Sequence, residues 1–302
     1  MKVVSLSDIG LVRSENQDKV IVKEFDGKVL AIVCDGMGGE NSGEEASRVT
    51  AEAIAENFFS KYHSALTRQN IKNLLISSIS LANSIVYATA QSNPEKHGMG
   101  TTCIVAVAEK DFVQIINIGD SRAYLLDEQG ITRVTKDHTY VQMLVDRGEI
   151  SEAEMKSHPQ RNILIKAVGT SESVKADYYQ IIPAGSYKLV LCSDGLYGYC
   201  EESDILETFN AYAMEECVAP DGGVIKIKFE MPEERDGSTD GEYVVYLNGA
   251  EFDTFSFAAK STREALLEML KNAAVGSEII NAIDNNAGYR LAAFSLGLDE
   301  NI

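Results

Sequence analysis

The stretch A-I-V-C-D-G-M-G-G-E-N-S-G-E-E-A-S, residues 31–47, decides how the chain is read. An apolar run over 29–34 has the length and composition of a buried strand. It ends abruptly at Asp35. The loop that follows holds Gly36, Gly38, Gly39 and Gly43 before a helical pattern begins. A carboxylate at the end of a buried strand, beside backbone that only glycine tolerates, is the geometry of a site. An ordinary strand–turn–helix connection has the same composition, so the rest of the chain must decide.

Upstream, residues 19–34 read as a hairpin: V-I-V-K-E-F, a turn at Asp26-Gly27, then K-V-L-A-I-V-C. An Asp-Gly pair between alternating apolar runs is a strong hairpin signal. Residues 2–8 alternate weakly and suggest a further strand. Between them, G-L-V-R-S-E-N-Q-D over 10–18 carries Arg13 and Asp18. A guanidinium just after a strand can grip a phosphate with its fork, although an isolated Arg more commonly pairs with a neighbouring carboxylate on the surface.

Downstream, Ala46, Val49, Thr50, Ala53, Ile54 and Phe58 fall on one helical face, and Ile71, Leu74, Leu75, Ile79, Ala82 and Val86 on another. The spacing predicts a helix pair lying on a sheet. Strands are expected from Thr101, over 112–118, over A-Y-L-L-D, and over I-T-R-V-T. Together they form an antiparallel meander broken at Gly119-Asp120-Ser121-Arg122. Asp120 is a second carboxylate beside a glycine at a strand junction, where a turn Asp is also common. Residues 141–147 predict a short helix closed by Gly148. Residues 151–156 predict another, with Ser151 and Glu154 as a capping box. The polar stretch up to H-P-Q-R-N reads either as a flap over a site or as a solvated connector.

Strands resume at A-D-Y-Y-Q-I-I-P-A and Y-K-L-V-L-C, and the second ends in S-D-G-L. Asp194 therefore repeats the arrangement of Asp35. Two aspartates meeting at one end of a sheet repel each other unless a cation joins them, and hard divalent ions take carboxylate and carbonyl oxygens. The residues alone thus point to a Mg²⁺ or Mn²⁺ site made by Asp35, the Gly36 carbonyl and Asp194, with Asp120 nearby.

Composition narrows the function. The chain has 302 residues, 45% of them hydrophobic, enough for a sizeable core. A formal net charge of −19 argues against nucleic acid or an anionic membrane as partner. The five cysteines show no C-x-x-C spacing and read as reduced residues of a cytoplasmic protein. His63, His97, His138 and His158 lack paired ligand spacing, which argues against zinc. No signal peptide is visible at the N-terminus, and no apolar run is expected to span a bilayer.

Eight motifs in order carry a family resemblance: R-S-E-N-Q-D (13–18), D-G-M-G-G (35–39), M-G-T-T (99–102), G-D-S-R-A-Y (119–124), D-H-T (137–139), G-x-I (148–150), H-P-Q-R-N (158–162) and S-D-G-L (193–196). The chain resembles the metal-dependent Ser/Thr protein phosphatases of the 2C type, in their compact bacterial form. The resemblance implies an α+β fold, a four-layer α-β-β-α sandwich with two central antiparallel sheets, as one catalytic domain over 1–302. It implies two Mn²⁺ or Mg²⁺ ions, bridged by Asp35, with the Gly36 carbonyl on one and Asp194 on the other. Asp120 with Asp194 completes a third metal site. Arg13 binds the substrate phosphate, Asp18 orders a water, and residues 146–165 form a flap that affects substrate choice. The implied reaction is in-line attack of a metal-activated water on phosphoserine or phosphothreonine. His138 is a weak candidate for the general acid, and a structural role suits it better. The implied partners are phosphorylated proteins and a Ser/Thr kinase that the enzyme opposes, with no nucleic acid and no membrane, for a monomer in the cytoplasm.

Two departures stand out. Gln17 occupies a position where many members have Glu, with a mild expected effect. The C-terminal third lacks the usual closing G-G-x-D-N-I-T. Either Asp299 replaces its ligand without a closing strand, or 290–298 is the closing strand and Asp284 lies too early. Residues 213–260 read instead as three strands, with a hairpin at Asn248-Gly249, followed by a helix beginning near Thr262. This β-rich part is either an elaboration packed on the fold or a docking module. If the last carboxylate is missing, the alternative function is a phosphoprotein-binding module of weak or no activity. A phosphatase of small phosphate esters would use the same core.

Overall fold

The structure, a computed structural model, describes residues 1, 3–9, 15–38, 42–211, 225–230, 241–247 and 250–257. It falls into two compact units, Ser14–Asp194 with Met1, and Gly195–Ile302 with Lys2–Arg13.

The first unit begins with the expected hairpin, β1 (Asp18–Phe25) and β2 (Lys28–Met37). Asp26 (φ 45°) and Gly27 (φ 72°) are both left-handed, which is the twist a two-residue hairpin needs. Phe25, beside the turn, meets the rings of Phe58, Phe59 and Tyr62 edge-on at 4.7–5.5 Å. The hairpin's closed end is pinned in this way, and its open end carries Asp18 and Asp35.

The two predicted helices are α1 (Ser42–Lys61) and α2 (Arg68–Ser92). Thr67 caps α2 in a box with Asn70. α2 is long and apolar enough, by length and composition alone, to cross a membrane, a test that a buried core helix passes equally. Its apolar stripe (Ile71, Leu75, Ile79, Ala82 and Val86) is buried with Ile54 and Phe58 of α1 in the core that covers one face of the first sheet.

That sheet runs β1-β2-β4-β5-β8, all antiparallel, with β3 (Gly100–Thr101) on the end of β2. β4 is Cys103–Ala108, β5 Val113–Ile118 and β8 Asp177–Ile181. A second sheet, β7-β6-β9, consists of β6 (Arg122–Asp127), β7 (Gly130–Arg133) and β9 (Lys188–Cys192). Val33, Ile104, Ala106, Val113 and Ile115 of the first sheet pack against Ala123, Leu189 and Leu191 of the second. The α+β fold with two central antiparallel sheets is the one expected, and three of its layers lie in this unit. The meander is corrected in one respect. β5 and β6 do not pair, because the chain crosses from one sheet to the other at Gly119-Asp120-Ser121. Two antiparallel runs joined by a short link look the same in sequence whether they pair or change sheets. β2 also runs past Asp35, since Gly36 and Met37 find partners in Thr101 and Gly100.

α3 (Tyr140–Asp146) ends at Arg147 and Gly148 (φ 70°), and α4 (Glu152–Met155) has the predicted Ser151–Glu154 box. All four described cysteines are buried, and Cys34, Cys103 and Cys192 are free thiols.

The second unit contains α6 (Glu202–Ala211), which follows a short turn of helix, α5 (Asp194–Tyr197). It also contains an antiparallel sheet of β10 (Ile225–Glu230), β11 (Gly241–Leu247) and β12 (Ala250–Phe257). The pairing Leu247↔Ala250 closes the hairpin expected around Asn248-Gly249. The helix expected near Thr262 lies outside the described residues. Residues 3–9 form no strand: weak alternation gives a strand only where a neighbour completes its ladder, and none of the described strands pairs with them.

Candidate metal centre

The open end of the hairpin is an unfavourable piece of sheet. Asp18 and Asp35 are direct partners in the β1–β2 ladder, and like charges placed opposite one another destabilise a strand pair. Asp35 is firmly held even so. Its N–H donates to Thr102 Oγ1 (2.9 Å), and its carbonyl accepts from the Thr102 N–H (2.8 Å) and the Thr101 hydroxyl (2.9 Å). The Gly36 N–H donates to the Gln17 carbonyl (2.9 Å). A Cβ on Gly36 would lie 2.0 Å from the Gly43 carbonyl oxygen and 2.8 Å from that of Gln17. Glycine is required here by the close approach of two backbones.

The second sheet contributes the other pair. Arg122 and Cys192 are register partners of β6 and β9. Asp120 and Asp194 stand two residues beyond them, at matching places past the same end of the two strands. Arg122 is forked onto Asp137, Nη2 to Oδ2 at 2.7 Å and Nε to Oδ1 at 3.1 Å, which fixes the start of β6. Ser193 Oγ donates to Asp18 Oδ2 at 2.7 Å and so ties S-D-G-L to the hairpin. Thr102 Oγ1, besides accepting from Asp35, shares a hydrogen bond of 2.7 Å with Ser121 Oγ.

The electrostatics follow from this convergence. Asp18, Asp35 and Asp120 are half-buried and Asp194 is exposed. Burial, then the charges of Asp18, Asp194 and Asp120, and then a hydrogen bond with Asp194 push the Asp35 carboxyl up to about 9. Near neutral pH a proton stands where the four carboxylates need positive charge. Among the described residues no three His, Cys, Asp or Glu side chains close into a finished coordination cluster. The donor set nevertheless suits Mg²⁺ or Mn²⁺: carboxylate oxygens in excess of positive charge, with a glycine carbonyl beside them. The residues able to hold metal are thus Asp35, Gly36, Asp120 and Asp194.

His138 is buried at 5% exposure. Burial holds its imidazole below the usual value, against the pull of Asp177. Its ring lies on the Gly119 amide and on Asp177. Residues 146–165 are mostly exposed. They are tied down where they return, by Tyr140 N–H to the Ile163 carbonyl (2.8 Å) and Ile165 N–H to the His138 carbonyl (2.8 Å). Arg13, Asp284 and Asp299 lie outside the described residues. Sequence reasoning assigned no role to Thr102, Ser121 or Ser193. Each is a motif letter within two residues of a glycine or an aspartate, which is the only local signal they give.

The protein phosphatase 2C family profile matches residues 12–222. The serine/threonine phosphatase stp of Listeria monocytogenes is 34% identical over 202 residues, which cover 67% of this chain and 80% of that protein. The crystal structure of serine/threonine phosphatase Stp1 from Staphylococcus aureus superposes with a TM-score of 0.63 at 34% identity, over 69% of this chain and 84% of that one. The catalytic domain of the serine/threonine protein phosphatase PstP, solved in complex with two manganese ions, superposes with a TM-score of 0.57 at 31% identity, over 68% of this chain and 82% of that one.

Proposed function

The chain belongs to the protein phosphatase 2C family and is a metal-dependent serine/threonine protein phosphatase, and we propose that Asp35, Gly36, Asp120 and Asp194 hold its Mn²⁺ or Mg²⁺ ions. The supporting observation is the Asp35 carboxyl, pushed up to about 9 by burial and by Asp18, Asp194 and Asp120 together. Such a group stays protonated unless a cation takes the proton's place. Bound metal supplies the charge that acidifies a water for attack on phosphorus. Asp18 has one oxygen engaged by the Ser193 hydroxyl, which steadies the carboxylate to orient that water. Arg13 is assigned to the substrate phosphate, where its fork matches two phosphoryl oxygens. Residues 146–165 are assigned to the flap beside the substrate.

The enzyme acts on phosphorylated proteins, as a monomer in the cytoplasm, opposing a Ser/Thr kinase. The family and the acidic surface support this. Residues 1–302 make one catalytic domain on this reading, with 213–260 as an elaboration of it.

The test is hydrolysis of a phosphothreonine peptide with Mn²⁺, then with excess chelator, beside Asp35→Asn. The chelator is expected to stop turnover, and the variant to lose it, because the substitution removes a carboxylate charge that would hold the metal. An Asp35→Asn protein that turns over at the wild-type rate would overturn the metal assignment.

A further inference from the structure

We propose that His138 is a positioning residue for Asp120, clamping Gly119 by both of its backbone polar groups. The inference rests on Asp120 being a metal ligand and names what aims it.

Gly119 is the elbow at which the chain leaves the first sheet for the second. It sits at φ 99°, and a Cβ there would lie 2.7 Å from Thr102 Cβ and Cγ2. A residue without a side chain is fixed only through its N–H and carbonyl, and His138 takes both. The Gly119 N–H donates to His138 Nδ1 at 3.0 Å. The His138 N–H donates to the Gly119 carbonyl, also at 3.0 Å. Asn117 Nδ2 donates to the same carbonyl at 3.2 Å.

The ring's other edge is equally committed. Because Nδ1 accepts, a neutral imidazole carries its proton on Nε2. Nε2 lies 3.2 Å from Asp177 Oδ2 and donates to it. Lys166 Nζ, 3.2 Å from Asp177 Oδ1, donates to the second oxygen. Lys166 is also 3.2 Å from Nε2, but two donors make no bond. Asp177 is itself anchored as the ladder partner of Asn117. With both ring nitrogens engaged, His138 has no proton to give a leaving group, and the general-acid role falls away. Asp120 is then flanked on one side by Gly119, held by His138, and on the other by Ser121, held by Thr102.

The two amide replacements of histidine separate the ring's two edges. His138→Asn keeps an acceptor near the Nδ1 position. His138→Gln keeps a donor near the Nε2 position and leaves a buried N–H unpaired. Calorimetric Mn²⁺ titration of the full chain is run on both variants, on wild type and on Asp120→Ala, which identifies the binding step that depends on Asp120. His138→Gln is expected to weaken that step by about 10-fold or more, the usual cost of losing an outer-shell partner. The other steps are expected to stay in place, and His138→Asn to restore most of the loss. Equal titrations for Gln and wild type, or equal loss of every step in both variants, would overturn the proposal. If Asp120→Ala itself titrates like wild type, the assignment of Asp120 fails first and takes this proposal with it. Imidazole ¹⁵N shifts of the wild-type protein give a readout independent of any variant's folding. An unprotonated Nδ1 is expected, and a protonated one would overturn the clamp.

Discussion

Asp35 and Asp120 both follow an apolar run and stand beside a glycine, yet they are held differently. Asp35 lies inside a ladder. β1 is on one side, with Asp18 opposite, and Thr101 and Thr102 are on the other. Asp120 lies between ladders, on the link from the first sheet to the second, and its neighbours are fixed by His138 and Thr102 from distant parts of the chain. Backbone ladders place the first carboxylate, and side chains place the second. A ladder resists substitution of any one side chain but fails when its backbone is displaced. A side-chain clamp fails one residue at a time.

The largest effect should therefore come from displacing backbone at Asp35. In Gly36→Ala the added methyl meets the Gly43 carbonyl and the Gln17 carbonyl, both main chain. Neither can rotate away as a side chain can. Overpacking of this kind costs roughly 3 kcal/mol, and here it also moves the carbonyl assigned to a metal. Phosphopeptide turnover is expected to be lost and the urea midpoint to fall. A variant with near-native turnover and stability would show that the loop yields, and that Asp35 is no better held than Asp120.

The next effect tests the charge on Asp35. In the metal-free protein its folded-state value is about 9, against an ordinary value of 3.8. Between these limits the folded state binds more protons than the unfolded one, so stability falls as pH rises. The contribution is complete below 3.8 and is lost as pH passes through about 9. His138, held below its usual value, acts in the opposite sense, because its neutral form is the folded one, but only on the acid side of 6.5. From about pH 7 to about pH 9 Asp35 is therefore isolated from it. The urea midpoint of the metal-free protein is expected to fall across that range, and saturating Mn²⁺ to remove the slope by displacing the proton. A metal-free midpoint that rises with pH would mean that the four carboxylates do not converge on Asp35.

The same contrast separates what the sequence discloses from what it hides. The β2 run, the Asp26-Gly27 turn, the two helical stripes and the Ser151–Glu154 box are local patterns, and each is found where its pattern puts it. The aspartates are visible because each ends an apolar run beside a glycine. The change of sheet at Gly119 is not visible, because the apolar runs of β5 and β6 state that the strands are buried and not which sheet each one joins. The roles of Thr102 and His138 are hidden for a similar reason. Thr102 meets Asp35 across 67 residues, and His138 meets Gly119 across 19. No local spacing encodes those meetings. The strand expected over 2–8 fails from the other direction, with alternation present but no ladder to join among the described strands.

The smallest effect is the most discriminating. Thr102 serves both junctions, accepting from the Asp35 N–H and bonding Ser121. Thr102→Val keeps the shape and removes the hydroxyl. A buried N–H without an acceptor costs about 1–3 kcal/mol, and urea unfolding should register that loss. The two aspartates should not suffer equally. Asp35 keeps the Thr102 N–H and the Thr101 hydroxyl on its carbonyl, so the ladder still places it. Ser121 loses the 2.7 Å bond that holds it beside Asp120. Mn²⁺ titration should therefore show the Asp120-dependent step weakened more than the step lost in Asp35→Asn. If the Asp35 step weakens more, the hydroxyl matters to Asp35 beyond what the ladder supplies, and the division between backbone-placed and side-chain-placed carboxylates does not hold.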